Sequence, residues 1–195
     1  MTLTVLLLAG GKSRRMGVDK ATMLIGGKPL WQRQIGVLNE VHPNALWVSA
    51  QDAPPWCPIG IDQVLDQPPS RGPLSGVVAA LSRLRTSHLL VLAIDMPRMT
   101  AEHLRKLWSL ARSRTGVIPA HNNSLEPLCA IYPANVLLTA ETALEGRDWS
   151  LQSFCQELIS RCEAQRYELG FDERQLYLNM NTPAELLAIE SLGRP

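Results

Sequence analysis

Apolar and polar positions along the chain alternate between two periods. The run Leu3–Leu8, closed by Gly10-Gly11, predicts a short strand buried on both faces. Leu30, Ile35 and Leu38 after Pro29 predict a helix, with Asn39 and Pro43 helping to end it. Leu46–Ser49 reads as a second strand and the proline-rich Ala53–Pro58 as loop. Leu74, Val77, Val78 and Leu81 share one helical face, with Pro73 in the first turn. Leu89–Ile94 is the most apolar run and predicts a central parallel strand. Thr100 caps a helix carrying Leu104, Leu107, Trp108 and Ala111 on one face. Gly116–Ala120 and Leu128–Tyr132 predict strands, and Leu151, Phe154, Cys155, Leu158, Ile159 and Cys162 form an apolar helical stripe after Ser150. Thr182-Pro183-Ala184-Glu185 is a capping box opening a last helix.

Strands separated by helices of this length predict an α/β fold. The expected architecture is a three-layer α/β/α sandwich: a mostly parallel, Rossmann-like sheet with helices on both faces. No repeat, low-complexity tract or linker interrupts the pattern, so residues 1–195 are expected to form a single domain.

Composition narrows the function classes. Hydrophobic residues make up 46% and charged residues 19%, which is globular rather than disordered. A net charge of +1 argues against a basic nucleic-acid binder. No apolar run reaches the ~18 residues of a membrane span, and no targeting segment is read. Cys57, Cys129, Cys155 and Cys162 form no Cys-x-x-Cys pair, which argues against zinc and predicts a reduced, cytoplasmic setting. His42, His88, His103 and His121 lack metal-ligand spacing and are expected at the surface or in packing. Charge is nevertheless uneven. Lys12, Arg14, Arg15, Lys20, Lys28 and Arg33 are accompanied only by Asp19, which fits either a solvated loop or an anionic partner at this end.

Ligands of such sheets bind beyond the carboxyl ends of the strands. Polar or glycine-rich sequence stands there at Gly10–Lys20, Ser49–Asp52, Asp95-Met96-Pro97 and Asn179–Asn181, with Asp66–Gly76 between. Gly10 and Gly11 expose backbone N–H groups, and Arg15 and Lys20 add cations, a combination suited to a polyphosphate. Gly11-Lys12-Ser13 is not a Walker A loop, because position 6 is Leu6. Glycines at 10, 11 and 17 do not make a dinucleotide fingerprint either.

The run Leu8-Ala9-Gly10-Gly11, Ser13, Arg15-Met16-Gly17 and Asp19-Lys20 resembles the loop of nucleoside-triphosphate transferases that activate sugars and cofactors, the nucleotide-diphospho-sugar transferase-like superfamily. Together with Gly27-Lys28-Pro29-Leu30, Asp66, Gly72-Pro73-Leu74-x-Gly76, Asp95-Met96-Pro97, Glu126-Pro127-Leu128 and Asn179-x-Asn181-Thr182-Pro183, it is most similar to the molybdenum cofactor guanylyltransferases. The resemblance spans nearly the whole chain. It implies transfer of GMP from GTP to the terminal phosphate of molybdenum-molybdopterin, with Mg²⁺ as cofactor. It also implies transient contact with molybdenum cofactor biosynthesis or acceptor proteins, and neither nucleic acid nor membrane as partner.

Residue by residue, the resemblance implies catalytic roles for Arg15, Lys20 and Asp95, with Asp95 holding the metal. Leu8, Ala9, Gly10, Gly11, Lys20, Ser49, Asp66 and Asp95 would line the nucleotide, and Gly72, Asn179 and Asn181 the pterin. Ser49 stands where these guanylyltransferases often carry asparagine, so a relative using CTP stays open. Activation of a sugar phosphate and a non-catalytic nucleotide or pterin carrier stay open as well; intact Lys20 and Asp95 argue against the carrier.

Overall fold

The computed structural model describes residues 1–9, 19–66 and 70–180. Ten strands and five α-helices follow one another among them: β1 (Leu3–Leu8), β2 (Leu24–Ile25), β3 (Lys28–Pro29), α1 (Leu30–Asn39), β4 (Ala45–Ala50), β5 (Asp62–Leu65), α2 (Pro73–Arg83), β6 (His88–Ala93), α3 (Ala101–Leu110), β7 (Gly116–His121), β8 (Ser124–Leu125), β9 (Cys129–Pro133), α4 (Leu137–Glu145), α5 (Leu151–Ser160) and β10 (Ala164–Glu168). The expected closing helix at Thr182, like Gly10, Gly11, Arg15 and Asn181, lies outside the described residues.

The main sheet runs β10-β7-β9-β6-β1-β4-β5, with β8 paired to β7. β1 pairs in parallel with β4 on one side and β6 on the other. β4–β5 and β10–β7 are parallel too, whereas β9 runs antiparallel to β6 and β7. The sheet is therefore mostly parallel, as the alternating pattern predicts, with β9 inserted in the opposite sense. From β1 the chain moves outward through β4 to β5, then crosses back to β6 on the far side of β1. That reversal opens a crevice at the carboxyl ends of β1 and β6.

Strand alternation builds the layers. Val5, Leu7, Val48, Leu90 and Leu92 point to one face and pack with Leu30, Ile35 and Leu38 of α1 and Leu104 and Leu107 of α3. Leu6, Leu8, Val64, Leu89 and Val91 point to the other, against α2, α4 and α5 through Leu74, Val77, Leu81, Ala140, Phe154 and Leu158. β1 and β6 are buried throughout their lengths, because helices cover both sides. No helix among the described residues is long and apolar enough to cross a membrane.

Candidate active site

The carboxyl ends of the central strands are brought level by hydrogen bonds that prolong the sheet. Ala9 N–H donates to Ser49 O (2.8 Å), Ile94 N–H to Leu8 O (3.0 Å) and Asp66 N–H to Ala50 O (3.2 Å). Leu8, Ser49, Asp66 and Asp95 thus share one edge of the sheet.

Asp95 sits just past β6 and meets Lys20, whose Nζ lies 3.3 Å from Asp95 Oδ2. Both side chains are partly open, at 21% and 22% exposure. Lys20 is delivered by a one-turn helix, Lys20–Thr22, capped by Asp19. The Asp95 carbonyl accepts from Met180 N–H (2.8 Å), which ties the closing segment of the chain to the turn after β6. Met180 is buried, and Asn179 before it is exposed.

One residue that fixes this turn escapes the sequence reading. Gln34, fully buried in α1, donates from Nε2 to Ile94 O (3.3 Å) and Met96 O (2.8 Å), bracketing Asp95. Its Oε1 finds no hydrogen-bond partner among the described residues. Arg33 Nε adds a bond to Pro97 O (2.8 Å). The available signal is a glutamine at a core position, four residues after Leu30 and next to Ile35 on the buried face.

Asp66 lies at the end of β5. Ser70 Oγ donates to its Oδ2 (2.8 Å), and Ser49 Oγ lies 3.5 Å from its Oδ1. Burial raises its pKa above the ordinary aspartate value, and the two serine bonds oppose that rise. Ser49 is itself buried, so its hydroxyl addresses Asp66 within the wall of the site.

Helix α2 starts beside this wall. Gly72 precedes it at φ 76° and ψ −157°, a conformation open to glycine, and Pro73 occupies the first helical position. A Cβ on Gly76 would stand 2.7 Å from Ser49 Oγ, 2.9 Å from Leu8 Cδ2 and 3.4 Å from Asp66 Oδ1. The absent side chain at Gly76 is what lets Ser49 and Leu8 keep their places.

The closing segment is anchored by a polar network on α3. Buried His103 bonds Tyr177 OH through Nε2 (2.7 Å) and faces Glu173 through Nδ1 (3.4 Å). Burial keeps the His103 pKa below the ordinary histidine value, although Glu173 opposes that shift. Burial alone would raise Glu173, yet donors from Lys106 Nζ, Gly170 N–H and Tyr167 OH hold it down at about 2. A depressed carboxylate contributes stability that is complete above its unfolded value of about 4.3 and is lost as pH falls toward the folded value. Thermal melts between pH 5 and pH 2 are therefore expected to show an acid-linked loss of stability that shrinks in Glu173→Gln; an identical slope in both proteins would remove Glu173 from the account.

His88 is buried and bonded to Arg112 O (3.0 Å), so it is a packing residue, as is His103. Cys129 and Cys155 are buried thiols, whereas Cys162, at the end of the α5 stripe, is exposed. Among the described residues no group of three or more histidine, cysteine, aspartate or glutamate side chains could hold a metal.

Comparison with known proteins bears on the family and the fold. The family model for the MobA-like NTP transferase domain matches residues 5–162. A probable molybdenum cofactor guanylyltransferase of Opitutus terrae is 36% identical over 182 residues, covering 92% of this chain and 90% of that one. The molybdenum cofactor guanylyltransferase of Cereibacter sphaeroides is 31% identical over 203 residues, covering 100% and 98%. The crystal structure of the molybdopterin-guanine dinucleotide biosynthesis protein A of Archaeoglobus fulgidus superposes with a TM-score of 0.73 at 25% identity, covering 97% of each chain. The fold, with Lys20 and Asp95 at its crevice, is that of a nucleotidyltransferase. More narrowly, the chain belongs to the MobA-like NTP transferase domain family.

Proposed function

We propose that this chain, as one nucleotidyltransferase domain over residues 1–195, transfers GMP from GTP to the terminal phosphate of molybdenum-molybdopterin and releases pyrophosphate in the cytoplasm. The observation that carries the reading is the Lys20–Asp95 pair, 3.3 Å apart at the strand switch point, with Asp66 along the same edge. The relatives' names supply the substrates.

The chemistry asks little covalent work of the protein. A phosphate oxygen of the pterin attacks the α-phosphorus of GTP; one P–O bond forms, the α–β P–O bond breaks, and the pair of electrons leaves with pyrophosphate. The nucleophile is already anionic, so no serine, cysteine or histidine is needed to activate it. The protein's task is to hold the two anions in line and offset their repulsion. Lys20 turns its ammonium from Asp95 to the β- and γ-phosphates, and Arg15, Gly10 and Gly11 add donors along the same chain. The donor set fits Mg²⁺, which takes one or two carboxylates and fills its remaining positions with phosphate oxygens and water. When bound, the ion would supply positive charge to the triphosphate from Asp95.

The base is read by Asp66. An ionised carboxylate only accepts hydrogen bonds, and guanine offers two adjacent donors, N1–H and the N2 amino group. The Watson–Crick edge of cytosine offers one. Ser49 contributes by orienting Asp66, so its presence in place of asparagine leaves the guanine reading standing. Gly72, Asn179 and Asn181 would line the pterin side, from which the product passes to acceptor proteins. The test is pyrophosphate release from molybdenum-molybdopterin, Mg²⁺ and each nucleoside triphosphate in turn. GTP is expected to be turned over fastest; faster release with CTP would replace the base assignment, and no release with any triphosphate would replace catalysis by a carrier role.

A further inference from the structure

Asp19, the residue before Lys20, has both carboxylate oxygens engaged. Oδ1 accepts from Ala21 N–H (2.9 Å) and closes the one-turn helix that carries Lys20. Oδ2 accepts from the indole N–H of Trp56 (2.8 Å), which arrives from the loop after β4. That loop is stiffened by Pro54, Pro55 and Pro58, and Cys57 N–H donates to Pro54 O (3.0 Å) within it. Trp56 in turn lies on Trp31 of the first turn of α1, with ring centroids 5.8 Å apart and planes inclined by 16°. A line of contacts therefore runs from α1 through Trp31, Trp56 and Asp19 to the backbone of Lys20, and on through Nζ to Asp95.

We propose that Trp56 is a positioning residue for the transfer reaction: its indole N–H, backed by Trp31, latches Asp19 and so sets where Lys20 enters the site. The inference rests on the reading that Lys20 takes the triphosphate. Lysine has a long side chain that reaches a given point from many backbone positions, so an unanchored Lys20 would spend much of its time elsewhere. Fixing its backbone raises the effective concentration of the ammonium at the phosphates. A carboxylate that only capped the turn would need one oxygen. The second oxygen is bound by a group 37 residues away. A charge-assisted bond of this kind is worth about tenfold in an equilibrium.

The experiment removes the N–H and keeps the ring. Trp56→Phe, Lys20→Ala and the double variant are compared by calorimetric titration with Mg·GTP and, for Trp56→Phe, by steady-state kinetics. Trp56→Phe is expected to raise the Kd for GTP about tenfold with kcat within twofold of the parent, and to have no further effect in the Lys20→Ala background. A Kd within twofold of the parent overturns the latch, and so does an equal loss with or without Lys20, because the tryptophan would then act by packing alone. If Lys20→Ala itself leaves GTP affinity unchanged, the triphosphate reading of Lys20 fails instead, and the latch with it. A readout independent of ligand is the indole N–H spectrum of the five tryptophans. The resonance lost in Trp56→Phe is expected to exchange slowly with solvent in the parent, and rapid exchange there also overturns the proposal.

Discussion

Replacing Asp95 by alanine is expected to lower transfer on the order of a thousandfold or more while leaving the fold intact. The two halves of that expectation come from different parts of the residue. Its side chain is partly open, at 22% exposure, and pairs with the Lys20 ammonium. A partly exposed pair contributes about 1 kcal/mol or less to stability, so its loss leaves the protein folded. Its backbone does the structural work, through the Met180 N–H bond and the Gln34 clamp on the neighbouring carbonyls, and alanine keeps the backbone. What alanine removes is negative charge where the proposed reaction needs a metal ligand, together with the carboxylate that pairs with the Lys20 ammonium. Asp95→Asn keeps the volume and tests the charge alone; it is expected to be nearly as inactive. Circular dichroism and a thermal melt report the fold, and pyrophosphate release reports turnover. A variant that melts like the parent and retains near-normal turnover with Mg²⁺ would take Asp95 out of the reaction.

The second large effect is expected at Gln34, a residue that touches no substrate. Gln34→Leu keeps the volume of the side chain but takes the buried donor from the Ile94 carbonyl and leaves the Met96 carbonyl with Met99 N–H (3.2 Å). An unsatisfied buried acceptor costs about 1–3 kcal/mol. Against that, leucine also removes Oε1, which has no partner among the described residues, and returns part of the loss. The Met96 carbonyl keeps its Met99 N–H bond, so the Ile94 carbonyl carries the loss, and a net destabilisation of about 1 kcal/mol is expected from denaturant unfolding. The kinetic effect should exceed what that figure suggests. A turn that shifts by an ångström moves the Asp95 carboxylate, and misplacement of that size costs about a hundredfold in rate. Gln34→Met is the informative companion, because it keeps the length of the side chain but has no group that can donate. If both variants keep full turnover, the clamp on Asp95 does not matter for catalysis.

How much of this was readable beforehand follows burial and direction. β1 and β6 announced themselves because helices cover both their faces, which leaves unbroken apolar runs. The edge strands β5 and β10 did not. Each is covered on one side at most, so Asp62, Gln63 and Leu65, or Arg166 and Glu168, interrupt the pattern with exposed or half-exposed positions. Helix α4 escaped because its buried positions are Thr139 and Ala140, too small to mark a stripe. The antiparallel sense of β9 is not a property of its residues. Leu128–Tyr132 reads as a buried strand either way, and its direction depends on the path of the chain around it. In the site, Asp95 stood out as a charged residue closing the most apolar strand, Lys20 through the basic, glycine-rich run that it ends, and Asp66 through the family resemblance. Gln34 and Trp56 were not, since each acts through a partner more than thirty residues away in sequence.

The bond from Met180 to Asp95 has a consequence for biosynthesis. While the polypeptide is still emerging from the ribosome, the central strands can pair as soon as β6 is out, but Met180, which pins the turn carrying Asp95, arrives some eighty-five positions later. Competence for nucleotidyl transfer should therefore switch on only once Met180 has been made, after α5 and β10 have already joined the sheet and its cover.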